Sequence, residues 1–587
     1  MLRVIGIDLG TSKTVMAALR QGEAEVLPNG AQGPFTPSLL AIGPGGELLA
    51  GHAAAGLPSA VPVLCSSLGR TETLPFNGLR YTPTELAALF LAHLKAEAEA
   101  ALAEPVERVV LSVPVAFGAA QAMALRRAAQ LAGLLALRLV HGTTVAALAY
   151  SLTHPGAQTL AVCDVGAGHA DAAIVRLFPG ALTVLGAAGA ADVGGEAITE
   201  SMVAYLLRCL EKQSGLSWHD DPQARASLRP LAERAKASLA YVDYIKLTGP
   251  LRTLGLAGPG SYALTREELE ELSRPYLEEA LSLVGQALAQ SGVAADALEG
   301  LLLIGGAAQM PFLHALAKER FPGVALPGDC NPLLAVAQGA AALGGLIAEL
   351  SCPTCGLNNP VQASACRRCG SALALEPRRI CSRCFLPNDP RRHLCWKCGA
   401  RLKPRGARLR RSQPIALSTQ TCPHCGARLA SGRRVCPACH APLAIRRPAG
   451  LACRRCGQVQ DAGVQTCSRC GELVAPFVGE VAGTALSLEG EEGRLEVLFP
   501  QGAPVPSARP VAREWRTAKT GTGEIRLYVG EAGRERPCAR LLLTLPAGLA
   551  PGTAIALAFS LDADGLLQVE AAPAGVEARL EWEVYDG

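Results

Sequence analysis

Sixteen of the 21 cysteines fall into four identically spaced units, CxxC-x10-CxxC, and this pattern constrains the fold more than any other feature of the chain. The units are Cys352/Cys355 with Cys366/Cys369, Cys381/Cys384 with Cys395/Cys398, Cys422/Cys425 with Cys436/Cys439, and Cys453/Cys456 with Cys467/Cys470. Two CxxC knuckles joined by a short hairpin place four thiolates around one tetrahedral ion, a closed coordination of the structural kind, and Zn²⁺ is the expected metal at all four sites. A unit of this size buries too little apolar surface to fold unaided. The metal, worth roughly 10–16 kcal/mol in zinc-finger peptides, is therefore expected to define it. Linkers of 11, 23 and 13 residues group the units into two double zinc ribbons, 350–400 and 422–476. The basic linker 401–421, with Arg405, Arg408, Arg410 and Arg411, is expected to be flexible.

The N-terminus enters an apolar run, Leu2 to Leu9, without a basic leader or a small-residue cleavage site, so no signal peptide is expected. CxxC pairs in such a chain argue for metal thiolates over disulfides and for a cytoplasmic location. The longest apolar stretch, Ala335 to Leu350, is interrupted by Gln338, Gly339 and Glu349 and is too short for a membrane span. The formal charge of +4 conceals an asymmetry: Ser351 to Pro476 holds 22 Lys/Arg against 4 Asp/Glu, leaving the remainder at −14. Nucleic-acid binding is disfavoured, because only Phe385 and Trp396 offer stacking faces within the basic island, and a protein partner at the ribbons is the preferred reading. The Ala-, Leu-, Gly- and Arg-rich composition suggests a bacterial, GC-rich origin and carries no mechanism.

The N-terminal region is built on a repeated design. Ile5-Gly6-Ile7-Asp8-Leu9-Gly10-Thr11-Ser12-Lys13-Thr14-Val15 reads as a strand, a tight polar turn and a return strand. Leu160 to Ile174 repeats it, with Asp164 ending the first strand, Gly166 and Gly168 in the turn and Asp171 opening the return. Either turn alone is an ordinary hairpin. Facing each other, they form a pincer whose amides cradle phosphate while Asp8 and Asp164 hold Mg²⁺ through its waters. A third glycine element, Leu301 to Gly306, is a buried strand turning into a helix near Met310-Pro311-Phe312, where an adenosine could sit. No GxxxxGK[ST] phosphate loop is present.

With these elements in order, the chain resembles the heat-shock-70 chaperones of the DnaK kind within the actin-like ATPase superfamily. The resemblance extends through Val109 to Phe117, Val145 to Tyr150, Gly194-Gly195-Glu196, Glu233 with Lys236, and Ala335 to Ala340. It implies ATP or ADP with Mg²⁺. Asp8, Asp164 and Asp171 would be the catalytic and metal-handling carboxylates. Gly10, Thr11, Ser12, Lys13, Gly166, Gly168, Gly194, Gly195, Glu196, Glu233, Lys236, Gly305 and Gly306 would surround the nucleotide. Four positions depart from the family pattern: Cys65 stands where a Lys near the γ-phosphate is implied, Gly142 for a Glu, His169 for a Thr and Gln309 for an adenine-packing Arg. Removing a cation and a carboxylate should slow hydrolysis by about 10²–10³ per group while sparing binding. Alternatively, Lys13 supplies the cation, or the alignment has slipped between Pro62 and Thr82. His169 is open to two readings, a general base or a solvated turn residue.

From Val478 short alternating strands are separated by Gly/Pro turns, the clearest being the hairpin Ala556 to Glu570 around Asp564-Gly565. Thr484 to Leu488 and Phe559 to Val569 resemble strands of the DnaK peptide-binding β-sandwich. The family's helical lid is not expected, and the zinc island is read as standing in place of its apolar interdomain linker. The expected architecture is multidomain: a two-lobed α/β actin-like ATPase fold over 1–349, four small Cys₄ zinc ribbons, and a lidless β-sandwich over 477–587. The leading expectation is a divergent ATP-binding chaperone or nucleotide-state sensor, a weak ATPase at most, that binds unfolded or extended polypeptide. The alternative is a nucleotide-gated scaffold recruiting a partner through its ribbons. A sugar kinase is disfavoured, since no sugar-binding domain is evident.

Overall fold

The computed structural model describes most of residues 3–402, short strands between 419 and 461, and most of residues 478–582; within these spans 215–220, 248–261, 352–357, 403–418 and several shorter stretches are outside the description. Eight helices are named in chain order: α1 (Pro83–Leu102), α2 (Ala119–Leu131), α3 (Gly142–Thr153), α4 (Gly195–Ser214), α5 (Pro222–Leu239), α6 (Arg266–Ser291), α7 (Pro311–Arg320) and α8 (Ala335–Leu346).

Two mixed sheets of like design form the N-terminal region. In the first, the strand Arg3–Leu9 pairs antiparallel with Lys13–Arg20 and parallel with Val106–Val113, which pairs parallel with Leu135–His141. In the second, Gln158–Val165 pairs antiparallel with His169–Phe178 and parallel with Gly300–Ile304. The near-continuous apolar runs Val109–Val113 and Leu301–Ile304 are what strands covered on both faces require. Each sheet carries one such Asp-bearing hairpin, Arg3–Leu9 with Lys13–Arg20 in the first and Gln158–Val165 with His169–Phe178 in the second.

Helices α3 and α8 lie between the sheets. Val145, Leu148, Val336 and Leu343 share one core with Val110 and Val140 of the first sheet and Val162 and Leu302 of the second. The first 12 residues of the Ala- and Gly-rich stretch that was too short for a membrane span form the buried helix α8. Its composition allows close approach: a Cβ on Gly339 would lie 1.8 Å from the Val145 carbonyl oxygen. Helices α1 and α2 cover the outer face of the first sheet, and α4 to α7 cover the second. Among the described residues no helix is long and apolar enough to cross a membrane.

The zinc island is tied to this body at several points. Val361, Cys366 and Leu373 of the first unit pack on Leu135 and Leu137. Cys381, Cys384, Leu386, Cys395 and Leu402 join the core formed by Tyr81, Phe90, Leu94 and Leu9. The strand Ala444–Arg446 extends the first sheet at Glu23–Val26. Beyond the island, Val478–Val481 adds to the second sheet alongside Ala181–Ala191. The sequence places this strand at the opening of the C-terminal β-domain; it pairs instead with the second sheet at Leu182 and Thr183, a partner that four residues of mixed character do not signal.

The C-terminal part comprises a five-stranded antiparallel sheet, in the order Leu495–Phe499, Leu486–Glu489, Thr522–Val529, Arg536–Thr544, Glu577–Trp582, and a three-stranded sheet of Val511–Arg516, Ala554–Leu561 and Leu567–Ala572. Leu527, Leu541 and Leu543 of the first share a core with Ile555, Leu557 and Phe559 of the second. The expected hairpin is present as Ala554–Leu561 paired with Leu567–Ala572. Its Asp564-Gly565 turn lies outside the described residues, as does the expected flexible linker from 403 to 418.

Candidate functional site

The two hairpin turns meet. A Cβ on Gly168 would approach Thr11 Oγ1 to 2.9 Å, so the turns face each other at van der Waals range. The first turn is fixed from below by Ser38, whose hydroxyl donates to the Gly10 carbonyl at 2.6 Å. The second is closed by Gly166 N–H donating to the His169 carbonyl at 3.0 Å. Gly195 N–H and Glu196 N–H at the start of α4 donate to the carbonyls of Gly166 and Ala167 at 2.9 and 2.7 Å, clamping that helix onto the turn. Gly194 needs its missing side chain, since a Cβ there would lie 2.6 Å from the Gly166 carbonyl oxygen.

Three carboxyl groups converge at this junction. Asp8 is the penultimate residue of the strand Arg3–Leu9 and accepts from Ser112 Oγ at 2.8 Å. Asp164 and Asp171 are directly opposite one another in the second hairpin. Burial raises Asp8 to about 6, with the Ser112 hydroxyl pulling the other way. Burial, and then the charge of Asp8, raise Asp164 to about 7. Burial and the charge of Asp164 hold Asp171 well above the carboxylate range against the N–H of Val115. Asp171 Oδ1 is buried without a hydrogen-bond partner, as are the hydroxyls of Thr143 and Thr144 at the start of α3. Three mutually repelling buried carboxyls and an orphaned carboxylate oxygen fit a divalent cation, which reverses both the repulsion and the desolvation.

The remaining residues singled out in the sequence lie around this centre. Lys13 opens the strand Lys13–Arg20, its Nζ 5.9 Å from the Phe35 ring centroid. On α5, Lys236 Nζ donates to the Gly195 carbonyl at 2.7 Å and to Glu233 Oε2 at 3.1 Å, and Thr199 Oγ1 donates to the same carboxylate at 2.7 Å. Gly305 follows the strand Gly300–Ile304 at φ +84°, where a Cβ would lie 2.4 Å from Asp164 Oδ1. Gly306 follows with open space around it.

The four departures also have definite places. Burial pushes the Cys65 thiol up to about 12, Asp8 adding to it, and Sγ donates to the Leu9 carbonyl at 3.3 Å, so this position holds a neutral thiol. Gly142 starts α3, and a Cβ there would be 3.3 Å from Asp164 Oδ2. Burial brings His169 down to about 4, leaving a neutral imidazole whose Nε2 is 3.5 Å from Asp171 Oδ2. Gln309 is exposed. Ser112, the Val115 amide and the Thr143 and Thr144 hydroxyls were not assigned from sequence. The one available signal was Ser112, the lone polar side chain in the run Val109–Val113.

In the zinc island, the four sulfurs of Cys381, Cys384, Cys395 and Cys398 lie within 4.8 Å of one another. The Cys381–Cys398 and Cys384–Cys395 separations are 3.6 and 3.4 Å, close to the roughly 3.8 Å edge of a tetrahedron with Zn–S bonds of about 2.3 Å. Against the upward push of burial, the N–H groups of Cys398 and Lys397 bring Cys395 down to about 7, favouring a thiolate ligand. In the first unit Cys366 and Cys369 are described, whereas Cys352, Cys355, Cys422, Cys425, Cys436, Cys439, Cys453, Cys456, Cys467 and Cys470 lie outside the described residues.

Two facing hairpins, one from each of two like sheets with helices between them, define an actin-like ATPase fold. The Hsp70 protein family model matches residues 4–57 and 69–351, more than half of the chain, and the chain belongs to that family. A double zinc ribbon model matches 352–399 and 422–471, the same pairing of units that the linker lengths gave. Family membership implies a nucleotide and Mg²⁺ as ligands of the cleft. The family match skips residues 58–68, the stretch that holds Cys65.

Proposed function

We propose that this chain is a divergent Hsp70-like ATP-binding protein whose nucleotide state sets the relation of its two lobes, which hydrolyses ATP slowly or not at all, and which holds extended polypeptide on its C-terminal β-strands. The observation that carries this reading is the convergence of Asp8, Asp164 and Asp171 beside neutral Cys65 and His169. In this reading the three carboxylates hold Mg²⁺, which neutralises phosphate charge. The turn amides of Gly10 to Lys13 and of Gly166 to Gly168 cradle the phosphates. Glu233, Lys236, Gly194, Gly195, Glu196, Gly305 and Gly306 border the nucleoside. A water attacking the γ-phosphate would meet neither a lysine at Cys65 nor a carboxylate at Gly142, so binding outlives catalysis. Lys13, at the lip of the first turn, is the remaining candidate cation.

The C-terminal role rests on the family resemblance and on strands such as Val511–Arg516 at a sheet edge, where an extended segment could add by backbone pairing. Single-turnover hydrolysis alongside equilibrium ATP binding tests the first part: tight binding with turnover at ordinary family rates would overturn it. Suppression of aggregation of an unfolded client, with and without ATP, tests the second. A scaffold acting through its ribbons would hold no client. That alternative draws support from Leu394 and Trp396, large apolar side chains exposed on the second ribbon.

A further inference from the structure

We infer that the second zinc ribbon is a zinc-held wedge that completes the first lobe, so that metal at Cys381, Cys384, Cys395 and Cys398 controls the integrity of the nucleotide pincer. The regulatory part of this rests on the nucleotide reading above, whereas the structural part does not. A recruiting module would keep its surfaces for a partner, yet this ribbon spends one face on its own chain. Tyr81, fully buried, donates its hydroxyl to the Cys384 carbonyl at 3.0 Å, and Asn77 Nδ2 donates to the Arg383 carbonyl at 3.0 Å. Lys397 Nζ pairs with Glu85 Oε2 at 2.7 Å and lies 5.5 Å from the Tyr81 ring centroid. Cys384 and Leu386 are fully buried in the same core as Leu86, Phe90 and Leu94 of α1.

Phe385 points the same way. In the described knuckles the residue after the second cysteine takes a left-handed backbone: Gly370 and Gly399 sit at φ +69° and +68°, and Phe385 sits at φ +59°. Left-handed backbone costs a non-glycine residue roughly 1–2 kcal/mol, and it is an outlier for a bulky one. Six of the eight CxxC knuckles in the sequence place Gly at this position. The strain is offset by the packing of half-buried Phe385 against the core that ribbon residues such as Cys384 and Leu386 share with Leu86 and Phe90 of α1, a contact that glycine could not make. That core reaches the first turn, because Cys65 belongs to it and donates to the carbonyl of Leu9, next to Gly10. The zinc-fixed knuckle thereby buttresses the corner formed by Tyr81 and α1, and through it the strand that carries Asp8.

The test uses the full chain, with zinc content, hydrogen exchange of α1 and Mg²⁺-ATP affinity measured together. Phe385→Gly relieves the local strain, so a purely local role predicts unchanged or greater protection in α1. The wedge predicts at least tenfold faster exchange there and a several-fold rise in Kd at wild-type zinc content. Tyr81→Phe combined with Lys397→Ala, which leaves all four zinc-ligating thiolates in place, should act in the same direction. Cys395→Ser should lose one zinc and α1 protection together, while Cys436→Ser in the third unit should lose one zinc and leave α1 unchanged. Unaltered α1 exchange in the Phe385, Tyr81/Lys397 and Cys395 variants, or equal loss in the Cys436 variant, would overturn the inference. A wild-type protein that binds no ATP would sink the nucleotide reading and leave the exchange result to decide the wedge.

Discussion

Glu85 and Lys397 are 312 positions apart in sequence and 2.7 Å apart in space. Glu85 is 8 % exposed and also accepts from the Thr82 N–H at 2.8 Å, closing the capping box of α1, so one carboxylate serves both the helix start and the ribbon. Replacing it with alanine strands a part-buried ammonium and opens the cap. The expected cost is roughly 1–3 kcal/mol, read as a lower urea midpoint for the N-terminal transition.

On the proposed reading, the acidic junction should make nucleotide binding depend on pH. Asp8 at about 6 and Asp164 at about 7 lie above their ordinary value of 3.8. In metal-free protein their protonation therefore contributes stability that is complete below 3.8 and is lost as pH rises through 6 to 7. Mg²⁺ requires the ionised forms and competes with those protons. Calorimetric titration of Mg²⁺-ATP should show affinity rising between about pH 6 and pH 7.5, with proton release on binding. A flat profile would contradict the placement of the metal.

Asp164→Asn keeps the shape of the side chain and removes its charge. Metal-dependent ATP binding should fall by at least a hundredfold, about 2.7 kcal/mol, while the apo protein melts at the same temperature or higher because the repulsion with Asp8 and Asp171 is relieved. Differential scanning calorimetry with and without Mg²⁺-ATP measures both effects.

Gly339 is expected to tolerate no side chain. A Cβ would sit 1.8 Å from the backbone oxygen of Val145, forcing α3 and α8 apart. Gly339→Ala should lower stability by about 1–3 kcal/mol despite alanine's better helix propensity, and an unchanged melting temperature would mean that the helices are not packed this closely.

Chelation should separate the zinc island from the C-terminal strands. Those strands carry their own apolar core, from Leu527 to Phe559, and have no metal site among the described residues. Proteolysis after chelator treatment is expected to open the region from 352 to 471 first and to leave the C-terminal strands resistant.

The local sequence determined the parts whose physics is local. CxxC spacing sets a metal knuckle because four thiolates must reach one ion, and the runs around Asp8 and Asp164 set two strand–turn–strand units because apolar strands and polar glycine turns are short-range signals. The family could be read from the order of those units. Tertiary structure decided what no window of residues contains: that Ser112 supports Asp8, that Gly142 brings the start of α3 against Asp164, and that Lys397 meets Glu85. It also decided that Phe385 takes a left-handed backbone against the core shared by the ribbon and the first lobe, and that Val478–Val481 joins the second sheet. These depend on burial, close backbone approach and charge pairing between distant segments, energies that arise only once the chain has closed on itself.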